Sequence, residues 1–281
     1  MKLTVLVDDN MSDCRRLLAE HGLCFYIEDD DKKILFDTGY SDVFIKNAIS
    51  LGINLLDLDY IVLSHGHYDH TWGLTHYMAF YMSALEQKQK VKKPTIVAHP
   101  DIFLEKYEEG FGEIGCMLTE TKLKKCFNIL KTFEPVSLTD NLVFLAEIPR
   151  FNDFEAKEPM EKALRNGKYE DDYILEDSAL AYKLKNSLSI ITGCSHSGIC
   201  NIVEYSQKIF KTTKIESIIG GFHLIDTPKE KIDKIIGYLK EQDIKELYPC
   251  HCTDFNARTE LSKILNVKNI GVGYRMQFRK N

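Results

Sequence analysis

No stretch of this 281-residue chain approaches the run of about 20 apolar residues that a membrane-spanning helix needs. The N-terminus also lacks the features of a secretory signal peptide, because the apolar run Leu3–Val7 is short and is followed at once by Asp8 and Asp9. We therefore expect a cytoplasmic protein with no membrane partner. In that compartment its eight cysteines are expected to be thiols or metal ligands rather than disulfides.

A basic surface is also lacking. The chain has 36 Lys and Arg against 42 Asp and Glu, for a net charge of −6, and charges of both signs are interspersed. This distribution argues against a nucleic-acid partner, which would need a basic stripe, and leaves a small molecule as the expected substrate. No linker, repeat or low-complexity tract divides the chain. We predict one domain over residues 1–281, long enough for a substantial core, and make no prediction of its oligomeric state.

Strands and helices alternate along the sequence. The halves, each rich in strands followed by helices, fit an α/β (α+β) sandwich of two mixed β-sheets packed face to face with helices on both outer faces. The predicted strands are 3–7, 23–27, 33–36, 60–63, 95–98, 142–148, 179–184, 188–192, 215–219, 246–248 and 270–278. The predicted helices are 41–50, 73–87, 100–109, 198–211, 254–265 and one opened by a capping box at Thr227–Glu230 that runs to about Gln242.

One polar segment interrupts this alternation. Residues 152–177 contain nine acidic and four basic side chains. We interpret the region of about 150–177 as a surface insertion or lid, with a long solvated loop as the alternative.

A run of six residues directly after a buried strand, His65-Gly66-His67-Tyr68-Asp69-His70, places three imidazoles and a carboxylate in one turn. These are the ligands that suit zinc and neighbouring divalent metals. His65 and His67 can bind one ion, and Asp69 and His70 can bind a second about 3.5–4 Å away, as in two-metal hydrolytic sites. A polar turn with chance histidines is the alternative, but the whole chain has only nine histidines.

The run His65–His70 resembles the signature loop of the metallo-β-lactamase superfamily. Upstream, Lys33–Gly39 is similar to that superfamily's strand ending in a D-[TS]-G turn, in which the aspartate, here Asp37, supports the metal loop. The resemblance extends from about Lys2 to the last strand. It implies the superfamily's αββα sandwich, with a metal site at the strand ends.

The resemblance implies further ligands at later strand ends. His196 follows the apolar strand 188–192 and precedes a helix, and His251 is similar to the late histidine that completes the second metal sphere. One or two zinc ions are expected, with manganese, iron or magnesium as alternatives. The expected metal ligands are His65, His67, Asp69, His70, His196 and His251.

Cysteine stands where many members of the superfamily have a bridging aspartate. We expect this residue, Cys194, to line the site rather than to bind metal, and the missing carboxylate leaves occupancy of a second metal position open. Cys250 and Cys252 flank His251, so a Cys/His structural zinc site is a competing interpretation. It is disfavoured because no C-x-x-C pair is present.

A further strand-end histidine, His223, is interpreted as a substrate-contacting or acid/base residue, with a structural histidine as the alternative. Trp72 is expected to pack beneath the metal loop. Three histidines lack partners at ligand spacing and are excluded from the predicted site: His21, His76 and His99.

Within the superfamily, the chain resembles the branch named for dihydropterin–ribofuranosylaminobenzene 5′-phosphate synthase. Many relatives in that branch are known only as metal-dependent hydrolases, so the resemblance does not fix the substrate. The segments that carry it are Leu35–Gly39, Leu63–His70, Glu147–Arg150, Gly193–Gly198, Gly220–Leu224 and Pro249–Thr253.

The resemblance implies a hydrolase of a small, phosphorylated or heterocyclic substrate, in which metal activates water and Asp69 and His223 are the catalytic residues. A synthase that displaces diphosphate is the alternative, with residues 152–177 as a lid that excludes water. Arg150 would then bind a phosphate, unless it is an ordinary surface arginine. A redox protein or a ligand sensor on the same fold remains open, and an RNA-processing nuclease is disfavoured.

Overall fold

The computed structural model describes residues 1–12 and 16–278. The helices are α1 (Val43–Ser50), α2 (Tyr68–Thr71), α3 (Gly73–Glu86), α4 (Glu120–Leu123), α5 (Ile199–Phe210), α6 (Lys229–Lys240) and α7 (Phe255–Ser262). The strands are β1 (Lys2–Val7), β2 (Cys24–Asp29), β3 (Lys32–Phe36), β4 (Tyr60–Val62), β5 (Thr95–Ala98), β6 (Lys106–Glu108), β7 (Gly112–Glu113), β8 (Asn128–Lys131), β9 (Val136–Ser137), β10 (Leu142–Phe144), β11 (Glu161–Arg165), β12 (Lys168–Asp172), β13 (Ala179–Lys183), β14 (Leu188–Thr192), β15 (Lys214–Gly221), β16 (Asp243–Cys250) and β17 (Arg275–Gln277).

Within these described ranges the strands form two large sheets and a small one. The first large sheet has the order β17-β1-β2-β3-β4-β5-β8, antiparallel up to β3 and parallel from β3 onward. The second has the order β16-β15-β14-β13-β10-β9, with β14, β15 and β16 parallel. Both are mixed sheets, as predicted. The small sheet, β12-β11-β6-β7, had no counterpart in the sequence prediction.

Alternation of side chains along the strands creates three apolar layers. Phe25 and Phe36 of the first sheet and Phe144 and Ile191 of the second belong to one buried cluster between the sheets. A second cluster joins the other face of the first sheet to α1 and α3, and a third joins the other face of the second sheet to α5, α6 and α7. The predicted αββα sandwich is therefore confirmed.

Four local predictions were wrong. The strands predicted over 142–148 and 270–278 are confined to Leu142–Phe144 and Arg275–Gln277. The helix predicted for 100–109 is a 3-10 turn at Pro100–Phe103 followed by β6, because Lys106 pairs with Ala163 in the small sheet and this tertiary pairing overrides local helix preference. The capping box at Thr227–Glu230 does not form, since the Thr227 hydroxyl donates to the carbonyl of Ile225 and the helix begins at Lys229.

The segment 152–177 is not a solvated loop. It contains the hairpin β11–β12, and several of its acids are buried: Glu155, Glu161, Asp172, Glu176 and Asp177. The fully buried ammonium of Lys106 lies 2.8 Å from both Glu161 and Glu176 and also pairs with Asp172, so one cation compensates three carboxylates. Lys106 therefore pairs with three acids of this segment inside the protein, whereas other acids, such as Glu170 and Asp171, are exposed.

The ends of the parallel strands place the residues of interest at one edge of the sandwich. β4 ends directly before the His65–His70 run, and β14, β15 and β16 end before His196, His223 and His251. The register Thr192↔Gly220 and Gly221↔Cys250 brings these three ends side by side. No helix in the described ranges has the length and apolar character needed to cross a membrane.

Candidate metal centre

The turn after β4 is fixed against the D-T-G segment 37–39. The backbone amide and the hydroxyl of Thr38 both donate to the carbonyl of His70, each at 2.9 Å. Asp37 accepts from the amide and the hydroxyl of Ser64, each at 2.7 Å. These bonds hold His65 and His70 completely buried and leave Asp69 only 5% exposed.

A first cluster of nitrogen atoms is formed by three imidazoles. Nε2 of His65 lies 3.1 Å from Nδ1 of His67 and 3.2 Å from Nε2 of His196. His196 comes from the turn after β14, so the cluster joins the two halves of the molecule. Separations of this size are those of atoms that bind one ion.

A second cluster lies beside the first. Nε2 of His251 is 3.2 Å from Nε2 of His70 and 3.1 Å from Oδ2 of Asp69. Sγ of Cys194 lies 3.1 Å from Nε2 of His70, and Cys194 also groups with His65 and His196. The thiol therefore lies between the two clusters, close to ligand atoms of both.

The outer nitrogens of four imidazoles contact oxygen atoms, and Nδ1 of the fifth, His196, lies 3.2 Å from the sulfur of Met160. Nδ1 of His70 lies 2.7 Å from Asp37, Nδ1 of His251 lies 2.8 Å from Asp9, and Nε2 of His67 lies 2.7 Å from Glu161. Nδ1 of His65 lies 2.9 Å from the Ser64 hydroxyl, which donates its own proton to Asp37. Such partners fix the tautomer and orientation of metal-binding histidines.

The hydrogen bonds of His70 and His251 indicate whether their ring nitrogens could bind a cation. In their neutral forms, with Nδ1–H donated to Asp37 and Asp9, the rings of His70 and His251 would each direct an Nε2 lone pair at the other across 3.2 Å. Two lone pairs at that distance repel each other unless a proton or a metal cation lies between them. The arrangement therefore fits a divalent cation with imidazole, carboxylate and thiolate ligands.

Electrostatics in the second cluster attract positive charge. Burial would lower the pKa of His70, but the carboxylates of Asp69 and Asp37 outweigh it and raise that pKa to about 9. Burial would raise the pKa of Asp69, but His70 and His251 hold it well below its usual value. In the first cluster, burial and the neighbouring imidazoles of His70 and His67 keep the pKa of His65 well below its usual value.

His223 lies at the edge of the first cluster. Its ring centre is 4.3 Å from that of His196, and its buried Nδ1 has no hydrogen-bond partner among residues 1–12 and 16–278. Both histidines line a cavity of about 440 Å³ that also contacts Met160, Tyr173, Lys157 and Lys231. The backbone of His223 has a positive φ of 49°, and it lies just after the end of β15.

The thiol of Cys252 packs behind these groups. Its Sγ lies 3.5 Å from the carbonyl oxygen of Cys194 and 3.2 Å from the amide nitrogen of His223. Cys250, in contrast, is fully buried within the core between the sheets. The seven cysteines in the described range are free thiols, as expected, and Cys14 lies outside that range.

Four functional neighbours of the site were missed by the sequence analysis. His21 was excluded for lack of partners, yet its Nδ1 lies 3.0 Å from Asp9 and its Nε2 lies 3.4 Å from Asp69. Those partners are distant in sequence, and no local spacing identifies them. The missed residues are His21, Asp9, Lys106 and Glu161.

Two other predictions concern residues around the loop. Arg150 does not present its guanidinium to a ligand, because NH1 and NH2 donate to the carbonyls of Ile148 and Ile174. The ring of Trp72 stacks on Tyr40 at 5.4 Å and lies 5.5 Å from Tyr68 of the metal loop. Trp72 therefore packs against the loop from which four of the predicted ligands come.

Comparison with known protein sequences gives matches over nearly the whole chain. A family model described as the metallo-beta-lactamase superfamily matches residues 18–81. The uncharacterised protein MJ0448 of Methanocaldococcus jannaschii is 34% identical over 267 residues, 94% of this chain and 95% of that protein. The 7,8-dihydropterin-6-methyl-4-(beta-D-ribofuranosyl)-aminobenzene-5'-phosphate synthase of the same organism is 34% identical over 274 residues, 92% of this chain and 89% of the synthase.

A solved structure gives a match of similar extent. Tm1679, described as a metal-dependent hydrolase of the beta-lactamase superfamily, superposes with a TM-score of 0.81 at 27% identity. The superposition covers 99% of each chain, so both large sheets and their helices are included.

Proposed function

The chain belongs to the metallo-beta-lactamase superfamily, and we propose on this premise that it is a metal-dependent hydrolase of a small, phosphorylated or heterocyclic molecule. The observation that carries the proposal is the pair of facing Nε2 atoms of His70 and His251, 3.2 Å apart. Their outer nitrogens are held by Asp37 and Asp9, an arrangement that a cation between the rings would stabilise.

The proposed ligands divide between the two clusters. His65, His67 and His196 would hold one cation, and Asp69, His70 and His251 a second, with Cys194 between them. Zinc is the cation that we predict for this donor set. A cation held there would lower the pKa of a bound water toward 7 and polarise a carbonyl or phosphoryl oxygen of the substrate.

Two residues are proposed to act on the reacting atoms. The carboxylate of Asp69, kept ionised by His70 and His251, would orient the attacking water. His223 would exchange a proton with the leaving group. The position of His223 on the cavity wall beside His196 supports this assignment.

The cavity beside His196 supports a small substrate. Its volume of about 440 Å³ suits a small molecule rather than a polymer. Phe154 and Phe222 supply apolar wall, and the charged lining has both signs, with Lys157 and Lys231 beside Glu158 and Asp226. We therefore propose that a planar or apolar moiety binds against the wall and a phosphate or carboxylate lies near the lysines.

A synthase activity is the second candidate. It is favoured by one observation, the 34% identity over most of both chains with a protein named as a dihydropterin–ribofuranosylaminobenzene phosphate synthase. In that case the same cavity would bind a pterin-like ring, and water would have to be excluded from it. A turnover assay with phosphodiester, lactone and pterin substrates separates the two candidates, since only the synthase needs an arylamine as second substrate.

The metal requirement is tested with His67→Ala. This variant removes one nitrogen of the first cluster and leaves the core intact, so we expect loss of bound metal and activity with an unchanged circular dichroism spectrum. Elemental analysis of protein purified without added metal gives the metal content. His76→Ala, at an exposed position on α3, is the matched control. Full metal content in His67→Ala would refute the proposed ligand set.

A further inference from the structure

His21 lies between β1 and β2, and its imidazole reaches the second cluster from the solvent side. The side chain is 51% exposed. Nδ1 lies 3.0 Å from Oδ2 of Asp9, and Nε2 lies 3.4 Å from Oδ2 of Asp69. Nδ1 of His21 is thus held by Asp9, outside the second cluster, and Nε2 faces Asp69, within that cluster.

His251 has the same arrangement on the opposite side of Asp9. Its Nδ1 lies 2.8 Å from Oδ1 of Asp9, and its Nε2 lies 3.1 Å from the same Oδ2 of Asp69. The rings of His21 and His251 are 5.2 Å apart. One carboxylate therefore orients two imidazoles, and the two imidazoles converge on one oxygen atom.

We propose that His21 is a further ligand, through Nε2, of the cation held by Asp69, His70 and His251. The proposal rests on the metal-dependent function argued above and adds to it a residue from outside the His65–His70 run. In its neutral form, with Nδ1–H donated to Asp9, the ring of His21 would direct an Nε2 lone pair at a carboxylate oxygen. Two acceptors in that position are stabilised by a shared cation.

The spacing of the two atoms agrees with shared coordination. Two ligands of one zinc ion, at bond lengths of about 2.1 Å and a tetrahedral angle, are about 3.4 Å apart. The separation between Nε2 of His21 and Oδ2 of Asp69 has this value. With Cys194 included, His21 would bring the second cation to five protein ligands, the additional one on its solvent-exposed side.

The competing role for His21 is that of a positioning residue that only donates a hydrogen bond to Asp69. The variants His21→Ala and His21→Gln separate the two roles, because the glutamine amide supplies an N–H donor but no imidazole lone pair. We would measure the dissociation constant of each zinc ion by competition with a chromophoric chelator. We would also record the visible absorption of the Co²⁺-loaded proteins, which intensifies when five-coordinate Co²⁺ becomes four-coordinate.

Loss of a ligand should lower the affinity for one cation by more than about 100-fold in His21→Ala and in His21→Gln. Removal of a group that only supports a ligand lowers metal affinity by about 10–100-fold. The Co²⁺ absorption should intensify in both, and His76→Ala should match the wild-type protein. Wild-type affinity in His21→Ala, or restored affinity in His21→Gln, would overturn the proposal. Wild-type protein that bound neither zinc nor cobalt would instead refute the proposed metal-dependent function, so the two failures are distinguishable.

Discussion

Cys194 is the residue at which the two clusters meet. Its thiol lies 3.1 Å from Nε2 of His70 and belongs to groups with His65 and His196 as well as with Asp69 and His251. We expect Cys194→Ser to weaken the binding of both cations, because serine replaces a soft ligand by a poor one. The expected loss is at least about 10-fold, measured by competition with a chelator.

The half-buried Cys126, which packs against the outer apolar cluster of the first sheet, provides the control Cys126→Ser. Undiminished metal affinity in Cys194→Ser would show that Cys194 only lines the site, as its sequence position predicts. A loss confined to one cation would place the thiolate on that cation alone.

The histidines could be predicted from the sequence, but most of their partners could not. His65, His67, Asp69 and His70 are adjacent in the chain, so their convergence is a local property of one turn. Asp9 and Glu161, which hold His251 and His67, reach the site only through the tertiary fold. Asp37 was predicted because the D-T-G turn carries a family resemblance, and His21 was missed because its partners lie in separate segments.

The hairpin β11–β12 supports the metal loop through Glu161. One carboxylate oxygen lies 2.7 Å from Nε2 of His67, and the other lies 2.8 Å from Lys106. We expect Glu161→Ala to lower metal affinity about 10–100-fold, because His67 loses the acceptor that fixes its tautomer. Glu161→Gln keeps an acceptor oxygen and should lose less.

Glu170→Ala, at an exposed position on β12, tests whether any change in this hairpin has the same effect. Equal metal affinity in Glu161→Ala, Glu170→Ala and the wild-type protein would show that the hairpin contributes nothing to the centre.

The same segment caps helix α5, which follows His196. Glu155 accepts from the backbone amides of Cys200 at 3.1 Å and Asn201 at 3.3 Å. Burial raises the pKa of this carboxyl above its ordinary value of 4.5, although the hydrogen bonds from Asn152 and Cys200 oppose the shift. The folded protein therefore binds this proton more tightly than the unfolded chain does.

This shift predicts the sign of a pH effect. As pH rises from 4.5 through the folded pKa, the folded state gives up a proton that the unfolded state has already lost, so this carboxyl makes the protein less stable. Glu155→Gln removes the titration and keeps an acceptor. We expect the Tm of the wild-type protein, relative to that of Glu155→Gln, to fall with rising pH. A pH-independent difference would contradict the assignment.

Elements with a clear periodic pattern were predicted well, and those formed by tertiary pairing were not. The strand Thr95–Ala98 has the predicted bounds, and the helix Gly73–Glu86 ends one residue early. β6 and β11 form because Lys106, deep in the interior, requires carboxylates around it. This need for carboxylates leaves no local sequence pattern. The sequence therefore indicated a helix at β6 and an exposed insertion at β11.

The candidate metal centre lies across the junction of the two halves of the chain. The ligands proposed from the first half lie in the turn after β4, with His21 added from the segment between β1 and β2, whereas Cys194, His196 and His251 follow strands of the second sheet. The halves approach so closely that a Cβ on Gly193 would collide with the hydroxyl of Ser64. A cation bound by both sets of ligands would connect the sheets at their edge.

Removal of metal should therefore destabilise the entire fold. A ligand present at 1,000 times its dissociation constant stabilises the folded state by about 4.1 kcal/mol, which for a chain of this size corresponds to a fall of about 10 °C in Tm when it is removed. Differential scanning calorimetry with and without a chelator measures the effect. The same chelator should change the Tm of His67→Ala less, because that variant lacks one ligand of the first cluster. Identical wild-type transitions in both conditions would mean that no cation links the halves.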